Sequence, residues 1–212
     1  AKKIIRERIN DKEKDFQKIK ALYDYLTSEI YYDSKTAYSR ETYLVKEQAY
    51  YLEGVFFNHC AVCDGKAKAY ALLLNMIGIP CYRTTGVNGE ADHAWNMVFL
   101  EGRWYTSCTT YGQSNAAESL GRILPNYSML LAGKDTAYGE EWQYTPQKHL
   151  DIYEQLEKEP YDIYKEMSKG MEQGLCVEEL AELENLLGEA AEIAGEREYK
   201  VEFEYTGADV DS

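Results

Sequence analysis

Basic residues are scarce in this 212-residue chain: 23 Lys and Arg stand against 37 Asp and Glu, a formal charge of −14. Nucleic-acid binding and docking on anionic lipid both need clustered cations, so both are disfavoured. Long hydrophobic runs are missing too, and nothing approaches the ~18 apolar residues of a membrane span. The chain starts at Ala1 with neither an initiator Met nor a signal-peptide core, which reads as a trimmed start compatible with export. Cysteine is sparse and odd in number. The five, at 60, 63, 81, 108 and 176, lack the density of a disulfide scaffold and leave the redox compartment open. Histidine is scarcer still, with three, so few groups can act as an imidazole base. Phenylalanine gives way to tyrosine, 5 against 20. Tyrosine joins apolar area to a polar end, which suits a half-wet groove, although a general Tyr-for-Phe habit gives the same count.

What remains is ordinary for a globular protein, 45% hydrophobic and 28% charged, and long enough for one domain or a core with a modest appendage. From Asn10 the text reads "NDKEKDFQKIKALYDYLTSEIYYD". Asn10 and Glu13 have capping-box spacing, and Phe16, Ile19, Leu22, Tyr23, Leu26 and Ile30 recur at helical period, which predicts an amphipathic helix. Residues 31–58 are aromatic and irregular, predicting loops with at most a short helix. A second helix is predicted from Asp64 through "GKAKAYALLLNMIG", apolar around most of its circumference and ended by Gly78 and Pro80.

The period then changes to two. "CYRTTGV", "HAWNMVFL" and "RWYTSCTTY" predict strands, the last two joined by a tight turn at Glu101-Gly102. A buried helix followed by an antiparallel meander predicts an α+β fold. Residues 1–145 are expected to form the core, with "NYSMLLAG" a short ordered piece inside a long loop. Residues 146–212 are expected to form an acidic helical extension ending in the strand "REYKVEFEYTG", packed on the core or standing as a small appendage.

The chemistry centres on "HCAVCDGKAKAYALLL", residues 59–74. Cys60 and Cys63 at the mouth of a helix have the spacing of a redox couple, but the βαβ context of such motifs is missing. They are also half a zinc knuckle, and only His93 and Cys108 are left as a supplement. As a nucleophile, Cys63 needs a base, a group to orient that base, and anion-binding donors. The helix start lowers a thiol pKa, and its first amides can donate to an oxyanion. His59 sits in a loop and His149 in the charged tail, whereas His93 opens a strand that can hold its ring rigidly.

Cys63 with Gly65, then "AYALLL", "GIP", "HAWN" and "GRWY", in that order over residues 12–112, resembles the transglutaminase-like superfamily of papain-type cysteine enzymes. The resemblance implies a nucleophile-bearing buried helix packed on an antiparallel sheet, with Cys63 as nucleophile, His93 as general base and acid, and Cys60 as a bystander. It implies no cofactor, and a peptide or protein substrate cleaved or transferred at an amide bond. Tyr31, Tyr32 and Trp95 are the expected substrate-groove residues. Similar bacterial domains are often exported, so an extracellular or cell-surface location is expected. The acidic balance suits a basic peptide or an amine-bearing acceptor.

One position departs from the family. Counting from Trp104 and Tyr105, the triad's acid is replaced by Cys108, just ahead of Thr110. A neutral thiol is a poor acceptor for the second imidazole nitrogen. Asp92 is a poor substitute, because successive strand side chains point to opposite faces. Three outcomes are open: a working Cys63–His93 dyad, oriented by a Cys108 thiolate or another group; an impaired domain that binds peptide or cell-wall material; or a Cys₂His metal set of Cys63, His93 and Cys108.

Overall fold

The computed structural model describes residues 1–38, 46–88, 91–113, 125–134, 148–163 and 166. Its described elements belong to one compact unit formed by Ala1–Ser114 and Ile123–Tyr161. A second unit, Asn115–Arg122 with Asp162–Ser212, falls almost wholly outside the described residues, and with it the helices and closing strand expected after Pro160. No described helix is long and apolar enough to cross a membrane.

Helix α1 (Lys2–Arg8) precedes the predicted helix, α2 (Asp15–Ser28). Helix α2 buries Phe16, Ile19, Leu22, Tyr23 and Leu26, as the spacing requires. It starts later than expected, after Lys14, with no side-chain cap. The Asn10 side chain instead accepts from the Lys12 N–H at 3.1 Å and its carbonyl from the Glu13 N–H at 3.0 Å. These bonds close a turn ahead of the helix, so no capping box forms.

The tyrosine-rich stretch holds more structure than its pattern suggests. It contains β1 (Tyr31–Tyr32), α3 (Ser34–Tyr38), a 3₁₀ turn (Glu47–Tyr50), α4 (Leu52–Phe56) and β2 (Cys60–Ala61). Strands β1 and β2 pair in parallel, Tyr31 with Cys60 and Tyr32 with Ala61. This pairing ties the end of α2 to the approach to the candidate nucleophile.

Helix α5 (Cys63–Met76) begins one residue before the predicted start. Gly65, Lys66, Ala67, Ala69, Tyr70, Leu73 and Leu74 are buried, and the helix packs on α2, β3 and β4. A Cβ at Gly65 would collide with the Ala49 carbonyl oxygen. That same oxygen accepts the Val62 N–H at 3.1 Å, so the 3₁₀ turn lies backbone-to-backbone against the first turn of α5.

Strands β3 (Cys81–Asn88), β4 (Ala91–Leu100) and β5 (Arg103–Ser107) form an antiparallel sheet in that order. Glu101 and Gly102 both take positive φ, 50° and 83°, as a two-residue hairpin of this type demands. Asn96 on β4 donates to the Ala67 carbonyl at 2.9 Å and fastens the sheet to α5. The third strand stops at Ser107, short of the predicted Tyr111. Residues 125–132 take over its free edge, with Cys108 N–H donating to Met129 O and Thr106 bridging Ala132. The chain then turns, and Gly112 N–H closes on Cys108 O at 2.9 Å. Helix α6 (Leu150–Glu154) and Leu156 cover Met97 and Trp104, so β4 is buried on both faces.

Candidate active site

Cys63 is the first residue of α5, half-buried, where the helix's unpaired amides cluster. Its sulfur lies within reach of the N–H groups of Asp64, of Cys63 itself, and of Ala94 on β4. His93 is the residue before Ala94 and is 7% exposed, while Asp92 beside it, nearer the end of the strand, is exposed. His93 Nε2 lies 3.2 Å from Cys108 Sγ. Cys108 is buried at the point where β5 gives way to the turn, and its sulfur accepts the Tyr111 N–H at 3.5 Å. Three cysteine and histidine positions distant in sequence are thereby brought into one neighbourhood.

The other two histidines stay away from it. His59 is exposed on a loop, with φ 51°, and the His149 ring lies 4.8 Å from that of Tyr82. No group of three or more His, Cys, Asp or Glu able to hold a metal occurs among the described residues, which include Cys63, His93 and Cys108. The Cys₂His metal set is therefore not formed.

The expected groove residues divide. Tyr31 is 62% exposed, and Tyr32 is half-buried and near enough to Cys63 to feel its charge. Trp95, at 1% exposed, packs with Cys108, Tyr111 and Met129, its ring 6.2 Å from His93 and nearly parallel to it. Trp95 thus backs the imidazole from the core side, and of the three expected residues only the tyrosines keep exposed surface.

Burial dominates the electrostatics. It pushes the Cys63 thiol up, outweighing the three backbone donors that favour the thiolate, against the expectation from a helix start alone. It brings the His93 imidazolium down to about 4, so the ring is neutral at pH 7. Cys108 is pushed up to about 12 by burial, with the Tyr111 and Thr110 amides and the Lys66 ammonium pulling the other way. Tyr32 is raised by burial and by Cys63, and stays a neutral phenol.

Sequence reasoning passed over three residues near the site. The Tyr111 ring centroid is 4.7 Å from that of His93. Asp64, directly after the candidate nucleophile, is ion-paired with Lys68 and Arg83, so its charge is met by two cations. Lys66 is fully buried; its Nζ donates to Ile30 O at 3.0 Å and to Gln113 Oε1 at 3.2 Å. The spacing of Lys66 from Cys63, one helical turn, was the available signal.

A buried helix leading with a thiol, followed by an antiparallel sheet carrying an imidazole, defines the class as an α+β fold of the papain type. The chain belongs to the transglutaminase-like superfamily, whose core model matches residues 2–107, half of its length. It is 25% identical over 121 residues to the kyphoscoliosis peptidase of Mus musculus, covering 51% of this chain and 18% of the mouse protein. The Homo sapiens kyphoscoliosis peptidase is 27% identical over 110 residues, covering 46% and 16%. The chain thus spans less than a fifth of the length of these curated relatives. Among solved structures, a crystal structure of a TGase aligns with 51% of this chain and 30% of its own, at 25% identity and a TM-score of 0.45.

Proposed function

We propose that this chain is a cysteine enzyme acting on amide bonds of peptides or proteins through a thioester at Cys63, with His93 carrying the proton. The observation that carries it is the 3.2 Å contact of His93 Nε2 with Cys108 Sγ, which fixes the ring beside the Ala94 amide that reaches the Cys63 sulfur. With Nε2 engaged, Nδ1 is the ring nitrogen assigned to the Cys63 proton.

The steps follow from that assignment. His93 Nδ1 takes the thiol proton as the sulfur attacks the amide carbon, forming the C–S bond. Backbone amides at the start of α5 receive the developing oxyanion. The C–N bond then breaks, and the amine leaves with the proton that His93 held. Water or an amine next attacks the thioester, giving its own proton to His93, and Cys63 is released as the thiol. Water makes the reaction hydrolysis and an amine makes it acyl transfer.

A second reading is a catalytically impaired domain whose groove binds a peptide. What favours it is the neutral resting pair, a raised thiol beside an imidazole that stays uncharged down to about pH 4.

The test mixes the full chain with denatured protein and a biotinylated alkylamine, and follows both biotin incorporation and peptide-bond cleavage. Either product, lost in both Cys63→Ser and His93→Ala, supports the enzyme. No product from the unaltered chain, with peptide binding retained, leaves the binding module.

A further inference from the structure

A lysine with no exposed surface is costly, because its ammonium is stripped of water. Lys66 is such a residue, one helical turn into α5 from Cys63. Its Nζ is held by two acceptors from distant parts of the chain, the Ile30 carbonyl at 3.0 Å and the Gln113 side chain at 3.2 Å. No carboxylate among the described residues bonds to it. The ionisable groups on which its charge acts are both cysteines, Cys108 beyond β5 and Cys60 on β2. Of these two, Cys108 is the one that touches the imidazole.

Cys108 Sγ is itself surrounded by donors. The amides of Tyr111 and Thr110 point at it, and His93 Nε2 lies 3.2 Å away. Two arrangements of the same two hydrogens, one on Cys108 and one on the neutral ring, are compatible with that last contact. In one, the Cys108 S–H donates to Nε2 and the ring hydrogen is on Nδ1, which cannot take a proton from Cys63. In the other, the S–H turns away, a sulfur lone pair accepts from Nε2–H, and the Nδ1 lone pair is left for Cys63. A positive charge near the sulfur favours the second.

We infer that Lys66 is a positioning residue, a buried cation that holds the Cys108 sulfur as an acceptor and so sets the His93 tautomer needed by Cys63. This rests on the Cys63–His93 reading above. The pair Lys66 and Cys108 then occupies the place of the triad's acid: the sulfur supplies the acceptor and the lysine the charge that favours it. Burial brings the Lys66 ammonium down to about 7, against the pull of Cys108 and Cys60, so the device is charged below neutral pH and discharged above it.

The experiment uses the full 212-residue chain with two readouts. One is the ¹⁵N NMR shift pair of the His93 ring, which reports the tautomer directly. The other is the rate of Cys63 alkylation by iodoacetamide between pH 5.5 and 9.5. In the unaltered chain at pH 6 the ring is expected as the Nε2–H tautomer, and the log rate is expected to rise less steeply above pH 7. Lys66→Met is expected to move the ring toward Nδ1–H, lower the pH 6 rate about tenfold and remove the bend. In a Cys108→Ala background, Lys66→Met is expected to change nothing further.

An unchanged tautomer and rate profile in Lys66→Met would overturn the inference, as would an equal effect with Cys108 absent. Should the methionine variant fail to fold, Lys66→Gln keeps a donor without the charge and faces the same two outcomes. His93→Ala separates this inference from the reading it rests on. If that variant leaves Cys63 alkylation untouched, the dyad fails, and the tautomer shift still decides whether Lys66 acts on the ring.

Discussion

His93 on β4 meets Cys108, just past the end of β5, through Nε2 and Sγ at 3.2 Å. The contact exists because β4 and β5 are adjacent antiparallel strands with Asn96 opposite Ser107, so the start of one lies beside the end of the other. A residue of any type at position 108 inherits that neighbour. Replacing it is therefore the most direct way to ask what the site lacks.

Cys108→Asp is expected to raise Cys63 reactivity, because a carboxylate accepts from Nε2–H and stabilises imidazolium. The gain should be at least about tenfold, with ~10⁴ as a ceiling, the kcat loss of a serine triad whose Asp becomes Asn. Iodoacetamide kinetics measure it. No gain would mean that the thiol already performs the acid's role.

Selective labelling is the second expectation. Cys60 and Cys63 are both half-buried, and Cys81 is sealed in the core with its thiol pushed well up. Mass spectrometry after brief alkylation should find Cys63 modified ahead of Cys60, with His93→Ala removing the difference. Because burial raises the Cys63 thiol, the rate should climb as pH rises above neutral. Equal labelling of Cys60 and Cys63 would remove support for the dyad.

Stability should weaken in mild acid. His93 protonates at about 4 in the folded chain against 6.5 for an ordinary histidine. Between those values the unfolded state binds more protons, so stability falls as pH drops from about 6.5 to about 4. The full loss is about 3 kcal/mol. Urea melts across this range check it, and His93→Gln should flatten the slope.

Lys66 works on the alkaline side. Its folded value of about 7 lies below the ordinary 10.5, so stability should rise as pH climbs from about 7 to about 10.5. The ammonium costs about 5 kcal/mol when charged in the fold. Lys66→Met should therefore be more stable than the unaltered chain at pH 6, by roughly 2–4 kcal/mol after losing two hydrogen bonds, an advantage that is gone or reversed at pH 10. Denaturant midpoints at the two pH values decide it.

Gly65→Ala should lower stability by about 1–3 kcal/mol, because its Cβ meets the Ala49 carbonyl oxygen and the first turn of α5 must shift. Cys63 lies two residues away, so its alkylation rate should fall in the same variant. A stable, fully reactive variant would show that the 3₁₀ turn yields easily.

The frame of the site was legible because its signals are local. A helix closed by Gly78 and Pro80, three period-two runs and a Glu-Gly turn placed Cys63 and His93 on their elements without long-range information. The Cys108 position came from the family pattern counted from Trp104 and Tyr105, since nothing local marks a cysteine after a strand as an imidazole's neighbour. Lys66 stayed hidden for a physical reason. A lysine on a helix reads as solvent-facing, and its burial depends on partners 36 and 47 positions away. Trp95 is sealed from the groove because both faces of β4 are covered, its own by Cys108, Tyr111 and Met129, which no strand pattern announces. The capping box failed because Asn10 bonded into a local turn instead.

The short parallel pairing of Tyr31–Tyr32 with Cys60–Ala61 has a practical corollary for shortened versions of the protein. Ile30, whose carbonyl holds Lys66, and the two tyrosines that follow it are delivered by α2, far upstream of the thiol they border. A fragment starting just before the cysteine helix would keep every residue of the Cys63–His93 pair and still lose one wall and one anchor of its surroundings. The smallest useful piece must therefore begin at or before Asp15.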